Sequence, residues 1–216
     1  MPSTLENPFT PKSALPTKRL FGGGEKHRRK LSIEAKKRLE DILVEYGGLK
    51  IKKSQAEFLS EMGKELIGIA KEKGRKLSKE DVKRELVQKI VVDKLGNIQK
   101  IFFRNMRLEK LPNLDNLTNL QRLVCENNQL TSLPNLDKLT NLQDLDCYGN
   151  QLTSLPNLDK LTNLKELNCL RNQLTSLPNL DKLTNLQLLY CYDNQLTSEV
   201  RKKIRSQVPK NCHLEI

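Results

Sequence analysis

Four cysteines stand at one spacing in this chain: Cys125, Cys147, Cys169 and Cys191, each 22 residues from the next. Thiols repeating at a fixed interval could form a disulfide ladder or hold a soft metal ion, since on stacked strands they would lie about 4.8 Å apart. A metal site would need accessible, deprotonated sulfur. The local pattern favours packing. Each cysteine closes an L-x-C triplet, in which strand alternation turns leucine and cysteine to one side, and an inward cysteine packs as a small hydrophobe. Cys212 falls outside the series and takes no role. Asp144, Asp146 and Glu166 could pair as carboxylates for proton transfer, but no pocket or supporting group is legible beside them, so they read as a charged contact patch. His27 and His213 are isolated near the two ends. No G-x-S-x-G, H-E-x-x-H, P-loop or C-x-x-C occurs. The reading is non-enzymatic, with no metal and no cofactor.

The elements that would position these residues are written in the repeat. From Asp93 the chain runs as L-T-N-L-x-x-L-x-C-x-x-N-Q-L-T-S-L-P-N-L-D-K, with L-T-N-L at 117, 139, 161 and 183. A degenerate copy precedes these, with Leu95, Ile98, Ile101, Phe103 and Leu108 in the apolar slots and Met106 in the asparagine slot. Leu123-Val124-Cys125 alternates inward and outward as a strand does, and stacking successive coils makes a parallel sheet. Leu120, Leu123, Cys125, Leu130, Leu133, Leu136 and Leu139 then share one core. Asn128, Asn150, Asn172 and Asn194 bend the chain away from the strand. Buried there, each amide must bond the backbone of its own and the adjacent coil. Pro134, Pro156 and Pro178 pre-set φ on the return side, where no N–H is needed.

The unit L-x-x-L-x-C-x-x-N-x-L resembles the leucine-rich repeat, in the 22-residue form of bacterial internalins and of a eukaryotic phosphatase-regulator class. The resemblance implies an α/β solenoid whose parallel sheet lines a concave face. Outward strand residues form that face, the usual binding surface of solenoids. Coil by coil they are Lys100, Phe102, Arg104; Arg122, Val124, Glu126; Asp144, Asp146, Tyr148; Glu166, Asn168, Leu170; and Leu188, Tyr190, Tyr192. Three of the four tyrosines occur here, and tyrosine offers large contact area with few rotors. The expected protein-binding residues are Phe102, Arg122, Asp144, Asp146, Tyr148, Glu166, Leu188, Tyr190 and Tyr192, with another protein as partner. Of the variable letters in the second coil, Val124, Glu126 and Asn127 read as free of the scaffold.

The rest of the chain does not repeat. Residues 1–30, with four prolines, three glycines and E-K-H-R-R-K, read as a disordered basic tail. Residues 31–92 read as a small all-α, three-helix module. The first helix spans about 32–46, with Ala35, Leu39, Ile42, Leu43 and Tyr46 on one face and Gly47-Gly48 ending it. The second starts at Ser54 with the capping box S-Q-A-E, buries Leu59, Met62, Leu66, Ile69 and Ala70, and stops at Gly74. The third starts near Ser78, with Val82, Leu86 and Ile90 inward. So little apolar surface calls for cover by the repeats, by another copy, or by both. After the repeats of 93–198, residues 199–216 read as a C-terminal cap: Ser198 as N-cap, Val200, Ile204 and Val208 inward, and a last strand at H-L-E-I.

Charge separates the parts. Residues 1–92 carry net +9, residues 93–198 net 0 and residues 199–216 net +3, giving +12 for the whole. That asymmetry points to an anionic partner for the N-terminal part. Gly74-Arg75-Lys76 and Asp81-Val82 resemble the second-loop motif of the histone fold. That resemblance implies a homodimer, with Lys50, Lys52, Lys53, Arg75 and Lys76 meeting at one phosphate-binding edge and Arg28, Arg29 and Lys30 adding sequence-independent affinity for DNA. The alternative to a protein-binding module is thus a DNA- or chromatin-associated protein whose repeats recruit a partner. No membrane span or signal-peptide run is legible. The expected place is intracellular: cytoplasmic, or chromatin- or nucleoid-associated under the alternative.

Overall fold

The structure is a computed structural model that describes residues 43–216. Its elements, in chain order, are β1 (Leu43–Tyr46), β2 (Leu49–Lys52), α1 (Lys53–Glu72), α2 (Lys79–Val87), β3 (Ile90–Val92), β4 (Ile98–Phe102), β5 (Arg122–Val124), β6 (Asp144–Asp146), β7 (Glu166–Asn168), β8 (Leu188–Tyr190), α3 (Ser198–Gln207) and β9 (His213–Glu215). Strands β4 to β9 pair in parallel, each with the next, and β3 closes the N-terminal edge antiparallel to β4. The 22-residue period keeps every pairing in register, so equivalent letters stack as ladders. Lys100, Arg122, Asp144, Glu166, Leu188 and His213 form one. Phe102, Val124, Asp146, Asn168, Tyr190 and Glu215 form the next.

Beneath the sheet the leucines and cysteines of the coils merge into one continuous apolar core. The four repeat cysteines are free thiols and fully buried. Three of them also donate weakly to the carbonyl of the following coil: Cys125 Sγ to Asp146 O at 3.4 Å, Cys147 to Asn168 O at 3.3 Å and Cys169 to Tyr190 O at 3.5 Å. The asparagines do what buried amides must. Asn150 Nδ2 donates to Cys125 O, Cys147 O and Tyr148 O, and its Oδ1 accepts from Leu130 N–H at 3.0 Å. Asn128, Asn172 and Asn194 repeat the arrangement. A second asparagine ladder runs on the return side, from the N of L-T-N-L. Asn141, Asn163 and Asn185 donate to Thr118 O, Thr140 O and Thr162 O of the coil before.

One letter taken as free is constrained. Asn127 has φ +53°, and its equivalents Asn105, Gly149, Arg171 and Asp193 all lie between +51° and +64°. This is the left-handed region, which short polar residues and glycine tolerate best. Val124 is also no free letter, being fully buried within its ladder.

The N-terminal module departs from expectation. Residues Leu43–Tyr46, read as the end of a helix, instead form β1 and pair antiparallel with β2 across Gly47-Gly48, both at positive φ. Val44 and its β-branched neighbour Ile51 face each other in that hairpin, which suits strands. The earlier part of that expected helix and the expected tail lie outside the described residues. Helix α1 starts one residue before Ser54, whose hydroxyl caps nothing; Lys52 holds the N-cap position without a side-chain bond. Helix α2 does start at Ser78, whose oxygen accepts from Asp81 N–H. Ile90, expected on the face of that helix, is buried in β3. Leu95, expected in an apolar repeat slot, sits at the β3–β4 turn and is 61% exposed.

The repeats supply the cover that the module needs. Phe58 of α1 stacks on Phe103 of the first coil with ring centroids 6.1 Å apart. Gln55, buried in the first turn of α1, accepts from Ile98 N–H at 2.7 Å and donates to Asn116 O at 3.1 Å. Leu59, Met62, Leu66, Val82 and Leu86 belong to the same core as the repeat leucines. At the other end Thr197, and not Ser198, caps α3 through Val200 N–H, and Ile204 is buried. Among the described residues no helix is long and apolar enough to cross a membrane.

Candidate functional site

Because strand side chains alternate, each coil presents its even-numbered residues on the concave face of the sheet. The face divides by charge. At its N-terminal end Phe102 lies between two guanidinium groups, Arg104 at 5.7 Å and Arg122 at 5.9 Å from the ring centre. Both arginines are already engaged by carboxylates of the following coil: Arg104 Nε lies 3.0 Å from Glu126 and Arg122 Nε 2.8 Å from Asp144. Neither Nε–H is aimed at its oxygen, so both groups remain buried without an aligned hydrogen bond. The pairs hold by charge more than by directed bonding.

The middle of the face is acidic. Asp144 sits beside Arg122, yet burial outweighs that neighbour and, with Glu166 adding to it, pushes its carboxyl up to about 6. Asp146 is 5% exposed. Burial, opposed by the Tyr148 N–H it accepts and reinforced by Glu126 and Asp144, pushes it up to about 7. Among the described residues no cation pairs with it. Low-dielectric surroundings penalise the charged carboxylate, and nearby carboxylates add to the penalty.

The C-terminal end is aromatic and aliphatic. Leu170, Leu188 and Tyr190 are half-buried and Tyr192 is 37% exposed. Tyr148 receives a hydrogen bond from Arg171 Nη1 at 2.8 Å, and Arg171 in turn reaches Asp193 at 3.3 Å. The sheet continues into a coil that the repeat pattern does not reach: β9 adds His213 and Glu215, whose ring and carboxylate are 3.1 Å apart, with the imidazole edge-on to Tyr190. The last strand expected at H-L-E-I is thus present, and it pairs in parallel with β8 in the register of the repeats.

The nine expected face residues thus share one surface, Phe102, Arg122 and the carboxylates at one end and the tyrosines at the other. The expected phosphate-binding residues do not come together within the chain. Lys50 and Lys52 lie in β2 and Lys53 opens α1, whereas Arg75 and Lys76 lie just past its end, separated by a 20-residue helix about 30 Å long. Arg28, Arg29 and Lys30 lie outside the described residues. The repeat cysteines offer no reactive site: burial raises every one of their thiols, Cys191 to about 12.

A family model described as "Leucine Rich repeats (2 copies)" matches residues 140–182. Among solved structures, a leucine-rich-repeat protein of Leptospira interrogans is similar at 32% identity over 48% of this chain and 27% of its own, with a TM-score of 0.46. YopM from Yersinia enterocolitica is similar at 27% identity over 70% of this chain and 30% of its own, TM-score 0.47. An internalin, InlF, of Listeria monocytogenes is similar at 18% identity over 64% of this chain and 38% of its own, TM-score 0.42. The chain therefore spans less than two fifths of the length of each of these three. No curated protein matches it in sequence.

Proposed function

Because this chain carries leucine-rich repeats, we propose that it is a non-enzymatic binding module that docks another protein on its concave face. The observation that supports this is the composition of the face. Where the scaffold letters are identical coil after coil, the outward letters differ and collect arginine, carboxylates and three tyrosines on one surface. Arginine and tyrosine are the side chains that carry contact energy at interfaces, and an aromatic group that leaves Tyr192 exposed and Tyr148 and Tyr190 half-buried is a poor choice for a surface that meets only water. The test compares quantitative affinity capture by the full chain, by Tyr190→Ala with Tyr192→Ala, and by Lys160→Ala on the exposed return side. A partner retained by the lysine variant and lost from the tyrosine variant, with melting temperatures unchanged, is the expected result. Equal capture by all three chains overturns the reading.

The second reading, contact with DNA or chromatin, is favoured by the net +9 of residues 1–92. Dividing the chain to test it is unsound, because the helices and the first coil share a core. The full chain should instead be titrated with duplex DNA at rising salt, beside a chain with Lys50, Lys53, Arg75 and Lys76 changed to Glu. Salt-sensitive binding that the quadruple change abolishes supports this reading. Absence of binding at low salt ends it.

A further inference from the structure

The ladder through the centre of the concave face holds Phe102, Val124, Asp146, Asn168, Tyr190 and Glu215. Asp146 is the one member of it that is both ionisable and buried. A carboxylate taken out of water is costly unless a cation accompanies it. The two cations nearest along the sheet are committed elsewhere, Arg104 to Glu126 and Arg122 to Asp144. On its other side lie Glu166 and Asn168 of β7. Among the described residues Asp146 and Glu166 are thus left without a cationic partner, in a chain whose net charge is +12. Directly beyond them the face becomes apolar through Leu170, Leu188, Tyr190 and Tyr192.

We infer that the concave face is built to receive a partner segment carrying a lysine or arginine beside an apolar side chain, the cation seated on Asp146 and Glu166 and the apolar group on Leu188, Tyr190 and Tyr192. This rests on the protein-docking reading above and specifies the chemistry of its partner. Charge complementarity selects the occupant. An acidic segment would add to the repulsion among Glu126, Asp144, Asp146 and Glu166, and a purely apolar one would bury two carboxylates with no counter-charge, which is the costly outcome. A seated cation does the opposite, since it supplies the missing partner in surroundings where water screens little.

The same arrangement makes capture depend on pH. The groups facing Asp146 are Glu126 of the β5 coil with Arg122 on its strand, Arg104 of the β4 coil, Asp144 and Tyr148 of its own coil, and Glu166 of β7, with the buried thiols of Cys125, Cys147 and Cys169 beneath and Tyr190 and His213 further along. With its carboxyl pushed up to about 7, Asp146 is partly protonated before the partner arrives and must release that proton to receive a cation. Affinity should therefore fall about tenfold between pH 8 and pH 6.

The probe is a phage-displayed library of random dodecapeptides, selected on the full chain at pH 8. Selected sequences should be enriched in lysine or arginine next to a large apolar residue. A synthetic peptide from that set should bind Asp146→Asn at least about tenfold more weakly, and the variant should lose the pH dependence while the wild type keeps it. The amide still accepts the Tyr148 N–H, so the variant chain keeps its fold, which its melting curve checks. Selection without basic enrichment, selection of no binder at all, or equal binding by Asp146→Asn overturns the inference. Equal binding by Asp146→Asn with loss on Tyr190→Ala and Tyr192→Ala would sink the cation seat alone and leave face docking intact. Indifference to all three changes would sink both. Two other occupants are also tested. A change of oligomeric state on Asp146→Asn, read by light scattering, would assign the seat to a second copy. A tenfold gain in peptide affinity on changing Lys26, Arg28, Arg29 and Lys30 to Glu in the full chain would assign it to this chain's own basic stretch.

Discussion

The asparagines and cysteines of the repeat carry its fold one side chain at a time. Asn150 satisfies three carbonyls and one N–H across two coils, so Asn150→Ala leaves these groups buried and unpaired. It should cost about 2–4 kcal/mol, measured by chemical denaturation. The cysteines are inert by burial. In the native protein iodoacetamide should label Cys212 alone, which is only partly buried, and all five thiols after unfolding, as intact mass would show. The carboxyls of Asp144 and Asp146 give the residue scale a pH signature. Both ionise only well above their ordinary value of 3.8, so between about pH 4 and pH 7 these two sites hold more protons in the folded chain than in the unfolded one. The stabilisation they give is complete below about pH 4 and is lost as pH rises through 6 and 7. Asp146→Asn should therefore raise stability by about 1–3 kcal/mol at pH 8 and change it little at pH 4, a comparison that two melting curves settle.

At the scale of elements the junctions matter most. Gly96 has φ +78°, and a Cβ there would meet Leu43 Cδ2 at 2.5 Å and the backbone of Lys50 and Lys52 at 3.3 Å. Its carbonyl accepts from Lys52 N–H, so the β3–β4 turn rests on the β1–β2 hairpin. Gly96→Ala should lower stability by about 2 kcal/mol or more, through strained backbone and displaced hairpin together. Gln55→Ala should cost about 2–3 kcal/mol by stranding Ile98 N–H and Asn116 O. These junctions also mark what the sequence could and could not disclose. The coils were legible because Leu123, Cys125 and Asn128 recur in fixed slots, and recurrence turns weak local preferences into a single register. The outward slots were legible for the same reason, by subtraction. Residues 43–52 were not, since Leu43 and Tyr46 fit a helical stripe as well as a strand, and only pairing with Lys52 and Leu49 decides between them. Gln55 read as a letter inside a capping box, whereas its role depends on a carbonyl 61 residues away. That Asp146 is buried while Glu166 is half-exposed depends on neighbouring coils, which no single repeat records.

At the scale of the whole molecule a single core runs from Tyr46 to Ile204 among the described residues. Removing residues 1–92 would expose Ile98, Ile101, Phe103 and Leu108, all fully buried in the intact chain. The truncated array should lose its sharp thermal transition and aggregate, whereas the intact chain should melt once by calorimetry and circular dichroism alike. The asparagine ladder gives this body a direction. Each coil is fastened not by its own amide alone but by that of its successor: Asn150 holds Leu130, Asn172 holds Leu152 and Asn194 holds Leu174. The first coil has Met106 in that slot and receives its fastening from Asn128. During synthesis the helices and first coil leave the ribosome before the amide that secures them. A nascent coil therefore stays loose until the next 22 residues have emerged, and each newly made turn of the solenoid acts as the latch for the one translated before it.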